Sequence, residues 1–198
     1  NIVTTIFPEY DWVRNIAGDN INNIDLTLLC DNGVDMHSFQ PTASDILKIS
    51  SCDVFVYVGG ESDEWVEDVL KEAVNEKMQV VKLMDVIGES VVEEEIVEGM
   101  QAEEDEDEGD GGTEYDEHVW TSPKNAKLIA EEIRNKLCEI DAENADFYND
   151  NTTDFINRID ELDNEINTVI NNSKRKIIAV ADRFPLLHFV NYYGLEYI

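Results

Sequence analysis

The sequence predicts a parallel α/β protein, and three observations carry that expectation. Short β-rich runs alternate with helical runs over the first 83 residues, the arrangement of successive β–α–β units. The run VFVYV after Asp53 is apolar on both faces, as a strand buried between two helical layers must be. A second β–α–β pattern opens near the C-terminal end, after a helical rod long enough to link two lobes.

Taken in order, Asn1 to Phe7 reads as a β-branched strand, and Pro8 opens a helix with Trp12, Val13 and Ile16 at three- and four-residue spacing, stopped by Gly18 and Asp19. Ile24 to Leu29 is a second strand, followed by a loop from Cys30 to Pro41. Thr42 or Ser44 caps the next helix, with Ile46, Leu47 and Ile49 expected to face inward. Asp53 to Val58 is the third strand, ended by Gly59-Gly60, and a helix from Glu64 to Asn75 and a strand from Val80 to Leu83 continue the alternation. Ser122-Pro123 starts a helix whose Ala126, Ile129, Ala130, Ile133 and Leu137 share one face. From Asp141 a longer pattern runs through Phe147, Phe155, Ile159, Leu162, Ile166, Val169 and Ile170 to Asn171-Asn172-Ser173, a rod of roughly 40 Å at 1.5 Å per residue. Ile177 to Val180 is then a strand, Pro185 to Tyr193 a helix capped by Gly194, and Glu196 to Ile198 the start of another strand. A two-stranded sheet is marginal alone, so this last unit is expected to belong to a lobe that is incomplete within the sequence.

Charge and composition narrow the function classes. Among 198 residues, 45 are acidic and 14 basic, a net charge of −31. Such a balance excludes a nucleic-acid binder, which needs a clustered positive surface. The 42% hydrophobic content is enough for a core, which argues against wholesale disorder. No run approaches the roughly 20 apolar residues of a membrane span. No charged-then-apolar leader lies at the start of the sequence, a beginning compatible with a mature exported form. The segment 93–117 contains 10 glutamates, 4 aspartates and no lysine or arginine, and its centre, EEDEDEGDGG, is expected to be a mobile, solvated loop. Its field could concentrate cations near a site, without much selectivity.

Candidate chemistry rests on histidine. His37 lies in the loop after the second strand and His118 lies just before a helix, and ligands of open α/β sheets gather at the carboxyl ends of strands. Two neutral imidazoles from distant loops need one or two further donors to hold zinc or another first-row metal. His188, in LLHFV, has apolar neighbours typical of a core or interface histidine. Cys30, Cys52 and Cys138 lack the spacing of a disulfide framework or a zinc knuckle and read as small buried hydrophobes; one pair could bridge in an oxidising compartment. Gly59-Gly60 lacks the spacing of a phosphate loop. Glu61, Asp63 and Glu64 read either as a cluster behind the site or as the acidic start of a helix. Phe39 and Trp120 could keep a metal cleft dry.

Several of these stretches resemble a known family, the zinc and manganese solute-binding lipoproteins of ABC importers. TTIFPEYDWVRNIAGDN is similar to its opening strand and helix, VDMHSFQPTASD to its first histidine motif, and CDVFVYVGGESDEWV to its strand ending in a double glycine. DEHVWTSPKNA resembles its second histidine motif, and VADRFPLLHFVNYYGLEYI the segment opening its second lobe. The resemblance implies two Rossmann-like lobes with parallel sheets joined by a long backbone helix. It divides the chain into an N-terminal lobe at 1–121, a helical connection at 122–172 and the start of a second lobe at 173–198. It makes His37 and His118 metal ligands. The family's H-D-x-F histidine is replaced here by Ala181 in ADRF, so His188 or Asp182 would fill the third position. The family's length implies further sheet, with a fourth ligand, beyond this sequence.

The function so implied is extracytoplasmic capture of Zn²⁺, with Mn²⁺ as the alternative, for delivery to an ABC permease by a periplasmic or cell-surface lipoprotein that is not an enzyme. A surface adhesion lipoprotein is the second reading. A zinc hydrolase is third, and no H-E-x-x-H or comparable motif supports it.

Overall fold

In a computed structural model, residues 1–31, 33–94, 115–180 and 184–198 are described. The centre of the acidic segment, EEDEDEGDGG, and Asp182 lie outside the described residues. Strands β1 (Ile2–Thr4), β2 (Leu26–Leu28), β3 (Val54–Tyr57) and β4 (Gln79–Lys82) form one parallel sheet in the order β2-β1-β3-β4. In register, Val3 stands between Thr27 and Phe55, and Phe55 pairs onward with Val80.

The two-residue side-chain period of these strands feeds two cores. On one face, Ile2, Val54, Val56 and Val81 pack with Val13 and Ile16 of α1 (Phe7–Ala17) and with Ile129 and Ile133 of α5 (Pro123–Ile140). On the other, Val3, Phe55 and Tyr57 pack with Ile49 of α2 (Ala43–Ser51) and with Val66 and Val69 of α3 (Trp65–Lys71). A short helix α4 (Leu83–Ile87) follows β4 directly.

Local chemistry moves some expected boundaries. The first strand ends at Thr4 rather than Phe7, because the Glu9 carboxylate accepts hydrogen bonds from Thr5 N (2.8 Å) and Ile6 N (3.2 Å) and starts α1 there. In α2 only Ile49 of the three expected apolar residues is buried; Ile46 is 36% and Leu47 71% exposed. The buried stripe is that of Ile49 and Ser50; Leu47 stands roughly 160° round the helix from Ile49, whereas Ile46 lies on the same stripe one turn earlier, near the start of the helix, and stays partly exposed. Ser122 and Pro123 hold the first positions of α5 as expected, although the Ser122 side chain makes no capping bond.

The long helix α6 spans Ala145–Asn172. Its first half packs on α1 and α5 through Tyr148, Thr152 and Phe155. Further along, Leu162 is 54% and Val169 70% exposed. Beyond α6, β5 (Ile177–Ile178) pairs in parallel with β6 (Glu196–Tyr197), and α7 (Leu187–Tyr193) connects them. Gly194 ends α7 in the left-handed conformation. Both Tyr192 and Tyr193 donate their hydroxyls to Asp163 of α6, at 2.8 and 2.9 Å. All three cysteines are free, Cys52 buried and the other two half-buried. Among the described residues no helix is long and apolar enough to cross a membrane.

Candidate metal centre

Strand order reverses around β1, since β2 lies on one side of it and β3 on the other, and the loops leaving β2 and β3 diverge at that point. The β2 loop carries His37 in a single 3₁₀ turn, Met36–Ser38, capped by Asp35, whose carboxylate accepts from His37 N at 3.2 Å. The β3 loop carries Gly59, Gly60 and Ser62. Between them comes the segment before α5, which brings His118. The two imidazoles meet with ring centroids 5.3 Å apart, tilted by 49°.

Each ring is held from its Nδ1 side. His118 Nδ1 lies 2.7 Å from Asp116 Oδ1. A carboxylate can only accept, so the proton sits on Nδ1 and the lone pair on Nε2, the tautomer that binds a metal. The same oxygen accepts from His118 N at 3.1 Å, a tight turn that sets the ring's direction. His37 Nδ1 lies 3.0 Å from Ser62 Oγ and 3.8 Å from Glu117 Oε2. Glu117 is buried, and its Oε1 accepts from Ser62 N at 2.9 Å. Trp120 leans on the His118 ring at 5.3 Å, whereas Phe39 packs on Trp65 at 5.9 Å instead of facing the histidines.

The pair borders a cavity of about 160 Å³ lined also by Glu61, Glu64, Glu94 and Met84. On their other side a wider, mostly apolar recess is lined by Phe7, Leu28, Val34 and Met36. Beneath the site lie two buried carboxyls. Burial pushes the Glu9 carboxyl well above the usual range and raises that of Asp63 to about 6, although Gly59 N donates to Asp63 Oδ2 at 2.9 Å.

His188 stands behind this arrangement. It is buried, with Nε2 3.1 Å from the Asp116 carbonyl oxygen and Nδ1 3.3 Å from Asn125 Nδ2. Burial lowers its pKa, opposed by the nearby Asp116 carboxylate. The structure thus brings His37 and His118 together, with His188 in contact with the residue that orients His118. Among the described residues no group of three or more His, Cys, Asp or Glu is arranged to hold a metal ion. The sequence reading missed Asp116 and Glu117 as partners of the histidines, since they close a run of acids. The available signal was Asp116 two residues before His118, the spacing of an Asx turn.

The model of a family described as "ZnuA: Zinc-uptake complex component A periplasmic" matches residues 2–198. The chain belongs to this ZnuA family. It is 30% identical over 181 residues to the zinc-binding protein AdcA of Streptococcus pyogenes serotype M3, covering 88% of the chain and 34% of that protein. It is 30% identical over 200 residues to the zinc-binding lipoprotein AdcA of Streptococcus pneumoniae, covering 100% of the chain and 37% of the relative. The chain therefore spans about a third of the length of these curated relatives. Among solved structures it is similar to the Zn(II)-bound ZnuA-like domain of S. pneumoniae AdcA, with a TM-score of 0.76 and 25% identity over 100% of the chain and 65% of that domain. A crystal structure of ZnuA shares the fold at a TM-score of 0.79, with 69% of that chain covered. ZnuA-like two-lobe binding proteins thus frame the parallel sheet and long helix seen here.

Proposed function

We propose that this chain is the metal-capturing part of an extracytoplasmic zinc receptor, a periplasmic or lipid-anchored protein that hands Zn²⁺ to an ABC permease and performs no chemistry on it. The observation that supports this reading is the pair of imidazoles 5.3 Å apart, each braced at Nδ1. Bracing at Nδ1 directs the other nitrogen of each ring to the ion and lowers the entropy cost of assembling the site. His37 and His118 are the proposed ligands; of the two candidates for a further donor, His188 has both ring nitrogens within hydrogen-bond distance of Asp116 O and Asn125 Nδ2, so Asp182 is the one proposed. The relatives are named for zinc, which favours Zn²⁺ over Mn²⁺, and nothing specific in the site favours adhesion or hydrolysis.

Neutral imidazole is the binding form, so affinity should fall as pH drops through the histidine range. The test is a chelator competition for zinc with wild type, His37→Ala and His118→Ala. Each substitution should cost more than the roughly 10- to 100-fold that loss of an outer partner costs. Unchanged affinity in both variants would refute the assignment.

A further inference from the structure

The ring of His188 has both nitrogens engaged, and the partners fix its state. A carbonyl oxygen only accepts, so Nε2 donates to Asp116 O at 3.1 Å. The Asn125 amide nitrogen only donates, so Nδ1 accepts at 3.3 Å. The ring is therefore neutral with its proton on Nε2. Asn125 Nδ2 also donates to Val119 O at 3.1 Å, so the same two side chains tie down the backbone on both sides of His118. Asp116 itself grips His118 through Oδ1, while its Oδ2 accepts no hydrogen bond among the described residues and lies 3.9 Å from His188 Nε2.

The other side of α7 is equally fixed. Tyr192 and Tyr193 anchor it to Asp163 on the long helix. A continuous chain of contacts therefore runs from α6 through α7 and His188 to Asp116, and from there to the imidazole proposed to bind zinc.

We infer that His188 is a positioning residue: from α7 it fixes the Asp116 backbone, and through Asp116 it sets the His118 ring in its metal-binding orientation. Its role is that of a strut behind a ligand. The inference rests on the zinc site proposed above. It also accounts for a histidine in a buried, otherwise apolar stretch, where Leu187 and Val190 are packed on either side.

Two measurements test it. The first uses long-range ¹H–¹⁵N correlation spectra of the histidine side chains in wild type, with and without zinc. His188 should show the Nε2–H neutral tautomer in both states, while the Nε2 resonance of His118 moves on zinc addition. A His188 nitrogen that shifts as a ligand does would overturn the inference. If zinc moved no imidazole at all, the proposed site itself would fall, and this inference with it.

The second compares His188→Phe, which keeps the ring volume and loses both hydrogen bonds, with His188→Gln, whose amide can still donate to Asp116 O. Phenylalanine should weaken zinc binding roughly 10-fold and glutamine should restore most of it, whereas a purely space-filling role predicts the reverse order. His188→Phe with wild-type affinity, beside a His118→Ala variant that has lost binding, would reject the strut and leave the zinc site standing. Should His188→Phe fail to fold, the tautomer measurement decides alone.

Discussion

Gly60→Ala is the sharpest probe of how the site is built, because it removes no polar group and adds one carbon. Gly60 has φ 89° and ψ −167°, a region populated almost only by glycine. Forcing alanine there costs about 1–3 kcal/mol. A Cβ at that position would also strike the Glu117 carboxylate, meeting Oε1 at an impossible distance and Cγ at 2.8 Å. Glu117 cannot yield without releasing Ser62 N, at 2.9 Å, and leaving its place 3.8 Å from His37. A lost hydrogen bond to a charged group adds about 1.5–3 kcal/mol. The sum, about 4 kcal/mol, corresponds to a melting temperature lowered by roughly 8–16 °C in a protein of this size. Zinc affinity should fall roughly 10-fold as His37 loses its support. Gly33→Ala is the control: its φ is 80°, but a Cβ there has nothing within 4 Å. It should pay backbone strain alone and bind zinc as wild type does. The assays are thermal melts and chelator competition on both variants. If Gly60→Ala melts with Gly33→Ala and keeps wild-type affinity, Glu117 has no supporting role and the reasoning fails.

Two further predictions concern stability. Burial raises the Asp63 carboxyl from 3.8 to about 6, so the folded state holds that proton more tightly than the unfolded chain does. This favours folding at acid pH, and the contribution is lost as pH rises from about 4 through about 6, leaving a charged, buried Asp63 that costs on the order of 2–3 kcal/mol at neutral pH. Asp63→Asn keeps an oxygen for Gly59 N and should gain stability over wild type as pH rises across that window; urea melts at pH 4.5 and 7.5 showing the same difference would contradict it. Thr42 and Asp45 form a reciprocal cap at the start of α2, with Asp45 N donating to Thr42 Oγ1 at 3.3 Å and Thr42 N to Asp45 Oδ2 at 3.0 Å. Thr42→Ala should cost about 1 kcal/mol in a urea melt, with zinc binding untouched.

The parallel sheet was legible because its signals are local. VFVYV is apolar on both faces, as a doubly covered strand is, and all four residues of β3 are buried. Gly18 and Gly194 ended their helices where the sequence said, both at positive φ. The exposure of Leu47 was not legible, because apolar periodicity shows that a helix has a sticky face but not how wide a stripe its neighbours cover. That His37 and His118 come together was legible from their loop positions at the carboxyl ends of strands, while their role as ligands rests on the proposal above. Their supports were not, since Asp116 and Glu117 end a run of acids and composition assigns such a run to solvent. Only tertiary packing shows that Asp116 and Glu117 are buried against the two rings.

That burial bears on which metal the site would prefer. With a net charge of −31, the chain attracts any divalent cation, and carboxylates in direct contact would suit hard ions such as manganese, magnesium or calcium. Asp116 instead spends Oδ1 on His118, and Glu117 spends Oε1 on Ser62 beside His37. An acid placed behind an imidazole raises the basicity of the nitrogen facing the ion and fixes its direction. The same negative charge that would make an unselective oxygen site when exposed thus strengthens a nitrogen donor when it is buried against the Nδ1 side of an imidazole, as Asp116 is at His118. Imidazole is a donor that suits zinc better than those hard ions, so on the ligand assignment proposed above the general field would gather cations and the histidine pair would discriminate among them.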